Sequence, residues 1–567
     1  MSRNVNSHFS TLPSVEIGRS KFNRNSTHKT TFNAGKLVPI FVDEVLPGDT
    51  FSMDVASLVR MSTPIFPVMD NAYLDTYFFF VPNRLVWEHW KEFNGENTST
   101  KWTQPVEYSV PTLVSPGWNK GSIADYFGIP TDVEGLEVNA LPFRAYCLIW
   151  NEWFRDQNIM NPCEVYKDDT TRMGVLAENR NFDETLLNAH LGGDLLPVCK
   201  YHDYFTSALP APQKGPEVTI PFRDAELPVV STVDTVDFQN LVDYPSRAPM
   251  SLAKDNGDLF GVGWLGTNSS SHVTAIDGQP AADQYDTAYP ANLWAIATDN
   301  SIAPTINALR QAFQIQKLFE KDARGGTRYT EILNSHFGVQ SPDSRLQRPE
   351  YLGGKRVPIN IDQVLQTSES TETSPQGNTA AYSLTVDTDS SFTKSFTEHG
   401  FIIGLACVRT EHTYQQGLER MWSRKRRFDY YWPALANLGE QAILVKELFA
   451  KPVQLHGGVD TSGNDEAFGY QEAWAEYRYK PNRVSGAFRS NYQGTLDSWH
   501  YADYYQPESL DEVSLHPDWI AETDVNIDRT LAVSSEVEDQ FIADFYFKCD
   551  CVRPMPLYSI PGLIDHH

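Results

Sequence analysis

Alternating apolar and polar residues predict β-strands near the start of the chain. Residues 36–46 (KLVPIFVDEVL) and 50–61 (TFSMDVASLVRM) flank a Pro-Gly-Asp turn, and residues 71–81 (NAYLDTYFFFV) end at a Pro-Asn pair. A side-chain period of two, with turn residues between the runs, is typical of antiparallel strands. The beginning of the chain therefore predicts an all-β architecture.

Three later runs extend this pattern toward the end of the chain. Residues 401–408 (FIIGLACV) and 475–479 are β-like, and residues 540–552 (QFIADFYFKCDCV) alternate clearly. First and last elements are thus both predicted strands, separated by long stretches of structured sequence. This arrangement is typical of a viral jelly roll, whose loops can carry most of the chain.

Two segments have helical spacing instead. Phe143, Tyr146, Trp150 and Phe154 recur three or four residues apart, which predicts a helix packed on the sheet. Residues 304–322 carry a second apolar stripe, and a Gly-Gly pair follows it. We expect these helices to lie within the long connections.

Length and composition narrow the class of protein. The 567 residues are 41% hydrophobic, which suffices for a large core. The longest apolar runs fall well short of the roughly 20 residues that cross a bilayer. The polar N-terminus lacks the apolar core of a secretion signal. We therefore expect no membrane insertion, and synthesis and assembly in a cytoplasm.

Composition also varies along the chain. Residues 229–300 contain nine Asp and no Glu, against only Arg247 and Lys254, and are rich in small residues. An insertion of this kind is tolerated because loop closure costs little entropy. The predicted regions are a basic arm at 1–36, a first core part with a helical insertion at 37–228, a surface insertion at 229–300, and a second core part with long loops at 301–567.

The formal net charge is −27, which argues against a protein that coats nucleic acid over its whole surface. The arm is nevertheless basic, with Glu16 as its one acidic residue. Its candidate DNA-binding residues are Arg3, Arg19, Lys21, Arg24 and Lys29, with Lys36 as a sixth cation.

Motifs for catalysis and for cofactors are weak. Residues 261–266 (GVGWLG) match a dinucleotide fingerprint as a string, but no helix is predicted after them to hold a pyrophosphate. Asp168-Asp169 and the terminal His566-His567 are interpreted as solvated charges rather than acid/base groups. Cys549 and Cys551 are too few for a zinc site. We predict no catalytic residue, no cofactor and no metal, and hence no enzyme.

The densest positive run is Arg424, Lys425, Arg426 and Arg427. Trp422, Phe428, Tyr430, Tyr431 and Trp432 flank it. Cations among aromatic residues suit phosphate neutralisation with base stacking, as in proteins that grip single strands. They suit equally an intersubunit patch in which Arg stacks on aromatic rings. Both interpretations stay open from the sequence.

Several longer motifs resemble the major capsid proteins of gokushoviruses, in the Microviridae, along nearly the whole chain. They are residues 10–18 (STLPSVEIG), 41–51 (FVDEVLPGDTF), 63–84 (TPIFPVMDNAYLDTYFFFVPNR), 141–158 (LPFRAYCLIWNEWFRDQN), 348–354 (RPEYLGG), 414–423 (YQQGLERMWS), 431–441 and 561–566.

This resemblance implies an eight-stranded antiparallel jelly roll that assembles through homo-pentamers into a T=1 icosahedral shell around circular single-stranded DNA. It also implies an internal scaffolding protein, a minor DNA-pilot protein and a place in the virion. Residues 229–300 look like the family's insertion, which forms protrusions at the threefold axes and is thought to face a host surface receptor.

The alternative from another class is a carbohydrate-active or carbohydrate-binding jelly-roll protein. A catalytic member of that class needs a cleft with two carboxylates at catalytic separation. The sequence identifies no such pair.

Overall fold

The computed structural model describes residues 18–97, 107–218, 306–367, 370, 376–377, 379–456, 459–460, 462–506 and 513–558, together with the backbone of short strands between residues 229 and 295 and at 389–391. The chain divides into two compact units. One comprises residues 1–214 and 320–567, and the other comprises residues 215–319.

The first unit is built mainly from strands. Those before the second unit are β1 (Ser20–Asn23), β2 (Ser26–Phe32), β3 (Val38–Val45), β4 (Thr50–Met61), β5 (Ala72–Pro82), β6 (Thr112–Pro116), β7 (Glu134–Asn139) and β8 (Arg172–Met173). The second unit contains β9 (Val229–Ser231), β10 (Leu252–Ala253), β11 (Gly263–Thr267), β12 (Val273–Asp277), β13 (Asp286–Thr287), β14 (Tyr289–Pro290) and β15 (Leu293–Ala295). The remaining strands of the first unit are β16 (Glu350–Pro358), β17 (Ile361–Leu365), β18 (Thr379–Ser383), β19 (Thr385–Ser395), β20 (Gly400–Thr410), β21 (Glu440–Leu444), β22 (Leu455–His456), β23 (Val459–Asp460), β24 (Ala467–Glu472) and β25 (Phe541–Arg553).

Helices are fewer and lie in the connections. They are α1 (Trp90–Phe93), α2 (Ile123–Tyr126), α3 (Leu141–Ile149), α4 (Phe182–Asn188), α5 (Ile306–Gly325), α6 (Tyr329–Phe337), α7 (Val445–Leu448), α8 (Pro517–Ile520) and α9 (Val525–Asp528). Within the described residues, no helix is long and apolar enough to cross a membrane.

Two antiparallel sheets form the centre of the first unit. In one sheet the order is β1-β25-β4-β19, with β2 also paired to β25, and in the other it is β16-β5-β20-β3. Strands β1 and β2 lie end to end along β25, so the sheets have five and four strands against the eight predicted. Because the chain passes repeatedly from one sheet to the other, the connectivity is that of a jelly roll. The predicted antiparallel, mainly β fold is confirmed.

Aromatic side chains fill the space between the two sheets. Phe547 of β25 lies 5.0 Å from Phe41 of β3 and 6.5 Å from Phe78 of β5, centroid to centroid. Phe392 of β19 lies 5.7 Å from Phe78. Phe78 and Phe547 are almost wholly buried, so each contributes the several kcal/mol typical of core aromatic residues.

The outer face of the second sheet is covered as well over its central strands β5 and β20. Tyr77 and Phe79 of β5 point away from the first sheet and contact Phe154 and Trp153, at ring distances of 5.1 and 5.4 Å. The central strand β20 is therefore apolar on both faces, and this explains its continuous FIIGLACV run. Strand β25 alternates instead, because only one of its faces is covered.

Most predicted elements are confirmed, with shifted ends. The helix predicted at Phe143 is α3, and a π-helical turn, Trp150–Phe154, follows it directly. The strand predicted at residues 475–479 is wrong, because Ala475–Tyr477 form a 3-10 turn that begins with Trp474 at φ +68°. That local turn overrides the β-propensity of the aromatic residues.

Buried charges tie the loops to the sheet in two clusters. On β5, Asp75 accepts hydrogen bonds from Arg356 Nε at 2.8 Å and from Tyr201 Oη at 2.9 Å, and it also pairs with Arg409. Burial by itself would raise the pKa of Asp75, but the two guanidinium groups outweigh it and lower the pKa. The carboxylate thereby stays ionised and pairs with both arginines, of which Arg409 is largely buried and Arg356 is half exposed.

The second cluster centres on His412, just beyond β20. Its Nδ1 lies 3.1 Å from Asp503 Oδ2 and its Nε2 lies 2.9 Å from Glu522 Oε2. Lys200 completes the charge balance at 3.8 Å from Asp503. Burial would lower the pKa of His412, but the two carboxylates raise it to about 10.

Replacing His412 with Gln should destabilise the protein at neutral pH by about 3–5 kcal/mol, because it leaves two buried carboxylates with one cation. The folded pKa, about 10, lies above the ordinary value of 6.5, so this stabilisation is full below about pH 6.5 and disappears as the pH rises through 10. Urea unfolding from pH 6 to 10 should show the difference between variant and wild type shrinking. Substitution of the exposed His202 with Gln is the control, and a difference independent of pH would contradict a charged His412.

Candidate functional site

The predicted arm residues lie on the jelly roll as far as the structure describes them. Strands β1 and β2 carry them along β25, where Lys29 is the direct cross-strand partner of Asp544. Arg3 lies outside the described residues. The sequence did not predict these two strands, because an edge strand of Ser, Thr and Lys lacks an apolar alternation.

Four candidate cations of the arm lie within the described residues, and each has a partner within the protein. Arg19 donates to the Gly48 carbonyl, Lys21 Nζ lies 2.9 Å from Asp550, Arg24 pairs with Asp43, and Lys29 Nζ lies 3.4 Å from Asp544. The two lysine side chains are well exposed, and such surface pairs contribute at most about 1 kcal/mol each. A phosphate group could replace these partners at little cost.

The second predicted run lies in the long loop after β20. The loop winds through three 3-10 turns, Arg420–Ser423, Arg427–Asp429 and Pro433–Leu435. Asp429 accepts backbone hydrogen bonds from Lys425 at 2.8 Å and from Arg426 at 2.7 Å. These bonds lower the pKa of Asp429 and hold the run in one conformation.

Arg424 differs from its three neighbours. Its side chain is only 9% exposed, and its Nη2 lies 2.9 Å from Oε1 of Glu476, which is equally buried. The guanidinium also covers the ring of Tyr477, at 4.3 Å from the centroid. Arg424 therefore joins two loops of the protein and is not a free cation.

Lys425, Arg426 and Arg427 are exposed. Arg427 stacks on Trp432 at 4.7 Å, and the Trp432 indole donates to the Arg427 carbonyl at 3.1 Å. The aromatic residues that surround these cations are also exposed, namely Trp422, Phe428, Tyr430, Tyr431 and Trp432. We call residues 421–432 the basic-aromatic surface. Exposed apolar area of this kind marks a binding surface.

A cavity of about 710 Å³ opens beside the basic-aromatic surface. Its lining includes six cationic residues, which are Arg420, Arg424, Arg478, Lys480, Arg483 and Arg489, and three acidic residues, which are Glu419, Glu447 and Glu476. Only Arg424 of these was a candidate from the sequence. The signal that could have found others is the spacing of cations in residues 478–489 (RYKPNRVSGAFR).

Asp168 and Asp169, which the sequence analysis interpreted as solvated charges, both have partners within the protein. Asp168 accepts two hydrogen bonds from Arg172, at 2.7 and 2.8 Å, which lower its pKa, and Asp169 lies 2.9 Å from His89. The pair thus stabilises a loop. His566 and His567 lie outside the described residues. Residues 263–266 of the glycine string are in β11, a strand and not a turn before a helix.

Cys549 and Cys551 both point into the core from β25. Burial raises the pKa of Cys549 to about 12, so the thiol stays protonated and packs as a small apolar group. No group of three metal-ligating side chains occurs in the part of the chain that the structure describes.

Comparison with known proteins gives consistent matches over the whole chain. A family model described as "Capsid protein (F protein)" matches residues 10–563. "Capsid protein VP1" of Bdellovibrio phage phiMH2K is 43% identical, over 99% of this chain and 98% of the relative. Proteins with the same name from Chlamydia phage 1 and Spiroplasma virus 4 are 41% and 42% identical, each over 98% of this chain and 97% of the relative.

Replacing Arg424 with Ala should lower the free energy of unfolding by about 3–5 kcal/mol, because Glu476 is left as a buried charge without its partner. Replacing the adjacent Lys425 with Ala should change it by less than about 0.5 kcal/mol, as expected for an exposed residue. Urea unfolding followed by tryptophan fluorescence measures both. Equal effects of the two substitutions would contradict the structural role of Arg424.

Proposed function

The chain belongs to the family of phage capsid F proteins, and from this premise we propose that it closes a T=1 icosahedral shell around circular single-stranded DNA. Like its homologues, it is a structural capsid protein of the virion and not an enzyme. The capsid homologues decide against the carbohydrate-active alternative. Assembly of the shell takes place in the host cytoplasm.

One observation carries the proposal: the family match extends from residue 10 to residue 563, so it includes the loops as well as the sheets. A shell subunit needs a rigid core that sets the angle between neighbours and loops that bury the contacts. The two sheets with a common aromatic core supply the first requirement. The long loops and their exposed aromatic residues supply the second.

The proposed partners follow from the same resemblance. Copies of the chain form homo-pentamers, an internal scaffolding protein guides their assembly, and a minor DNA-pilot protein joins the particle. A closed cyclic arrangement of identical subunits uses one repeated contact, which is the economical way to build a shell.

Residues 229–300 are proposed to be the host-facing insertion, a protrusion at the threefold axis that binds a host surface receptor. They fall within the separate compact unit, residues 215–319. An insertion that forms a unit of its own can change without altering the jelly roll, as a receptor-binding element requires.

The arm cations Arg3, Arg19, Lys21, Arg24 and Lys29 are proposed to contact the DNA. Lys21 and Lys29 form exposed, weak pairs with Asp550 and Asp544, and phosphates can take the place of those acids on assembly.

Assembly should be visible in sedimentation of the purified protein, first alone and then with the proposed scaffolding partner. We expect species of about 320 kDa, five copies of the 64.1 kDa chain, or closed shells, because cyclic symmetry is needed for closure. Analytical ultracentrifugation and negative-stain microscopy distinguish them. A persistent monomer under both conditions would overturn the proposal.

Replacement of Arg19, Lys21 and Arg24 with Ala should lower the DNA content of purified particles and weaken DNA retention as salt rises. Each lost phosphate contact should reduce the slope of log affinity against log salt by about 0.7. The control changes three cations elsewhere, Lys321, Arg345 and Lys451, to Ala, which keeps the net charge of the two variants equal. Equal DNA retention in both variants would count against the arm.

A further inference from the structure

The cavity beside the basic-aromatic surface has the chemistry of a nucleotide site. We propose that it binds one nucleotide of the packaged single strand, with the base in the cavity and the phosphates at its rim; the inference rests on the proposed function as a shell around single-stranded DNA. Its volume, about 710 Å³, lies in the range of small-ligand sites.

Charge at the cavity is opposite in sign to that of the chain. The three acidic lining residues are each paired with a lining cation: Glu419 with Lys480, Glu447 with Arg420 at 3.3 Å, and Glu476 with Arg424 at 2.9 Å. Arg478 pairs with Glu472. Among the described residues, Arg483 and Arg489 have no acidic partner. A local excess of positive charge in a chain of net charge −27 attracts a polyanion to this point.

The two lining arginines without an acidic partner among the described residues are both exposed and are the proposed phosphate-binding groups. Arg483 is exposed on the loop after Lys480. Arg489 is held in place because its Nη1 donates to the Gln415 carbonyl at 2.8 Å. An arginine fixed by one hydrogen bond keeps its other N–H groups in a planar fork, which suits a phosphate.

Aromatic rings line the same cavity. Trp422 and Tyr477 line it while 69% and 51% exposed, so both rings leave surface open to a ligand. Arg424 covers part of the Tyr477 ring and holds it in place. Deeper in the wall, Tyr204 and Tyr479 stack on each other with centroids 5.2 Å apart. Rings beside cations bind single strands without sequence preference, because every base has a stacking face.

The neighbouring cations extend the site along a strand. Lys425 and Arg426 are exposed and, in the described part of the chain, take part in no ion pair. They are close in sequence to Trp422 and offer contacts for the next phosphates. A concave site with free cations favours a flexible polyanion over a second copy of the chain, since subunit contacts are depleted of lysine and of unpaired charge.

The test is the affinity of the purified full chain for a fluorescently labelled oligo-dT of about ten nucleotides, measured by anisotropy between 50 and 300 mM salt. Trp422→Ala should weaken binding by roughly tenfold or more, as expected for loss of one stacked base. Arg483→Ala should weaken it several-fold at low salt and lower the salt slope by about 0.7. The controls are Tyr382→Ala, an exposed ring on β18, and Arg345→Ala, an exposed arginine, each with less than a twofold effect.

Particle assembly of every variant is measured in parallel by sedimentation. Variants that form normal particles but bind oligo-dT more weakly support the nucleotide site. No binding by the wild type, or equal binding by all variants, overturns the inference even if particles form. Loss of assembly with unchanged oligo-dT affinity identifies the surface as a subunit contact and also overturns it. Failure of the wild-type chain to assemble would instead contradict the proposed capsid function.

Discussion

Burial of the central strands β5 and β20 on both faces is the constraint on which the rest of the first unit depends. One face packs on the other sheet through Phe41, Phe78 and Phe547, and the opposite face packs under Trp153 and Phe154. Since β20 has no face toward solvent, its side chains must fit two layers at once. At Gly404 even a Cβ would lie 2.7 Å from Phe78, so no larger residue fits without a shift.

The same double burial dictates where charges can lie. Buried charges are grouped with charges of opposite sign. Asp75 lies between Arg409, which is largely buried, and Arg356, which is half exposed, and protonated His412 and Lys200 balance Asp503 and Glu522. Arg424 and Glu476 repeat this arrangement farther out, between two loops. Each set joins segments that are distant in sequence. Loops that would otherwise be mobile are thereby held against the sheet.

This rigidity matters for a shell protein, because a contact between identical copies repeats any error in geometry. The net charge of −27 makes copies of an acidic chain repel one another in solution. The basic-aromatic surface contains the paired cation Arg424 and, beside it, Lys425 and Arg426, which take part in no ion pair among the described residues. Its inner residue, Arg424, supports the loop, and its outer residues are available to a partner.

The pattern of apolar and polar residues was enough to predict the elements that are covered on one face only. Strand β25 alternates regularly and β4 does so at both ends, α3 has its apolar stripe, and the long motifs placed the chain among phage capsid proteins. These features depend on neighbours in the sequence, which a pattern can reveal. The continuous run of β20 was also recognised, although only the fold shows that two layers cover it.

Tertiary structure alone decided the roles of the polar residues. Strands β1 and β2 are strands because β25, more than 500 residues later, supplies their backbone partners. Arg424 is a buried support because Glu476 and Tyr477 come from another loop, and the cavity exists because that loop also brings Arg483 and Arg489 to Trp422. The sequence shows the chemistry of each side chain, but its pKa, exposure and partners arise from contacts between distant segments.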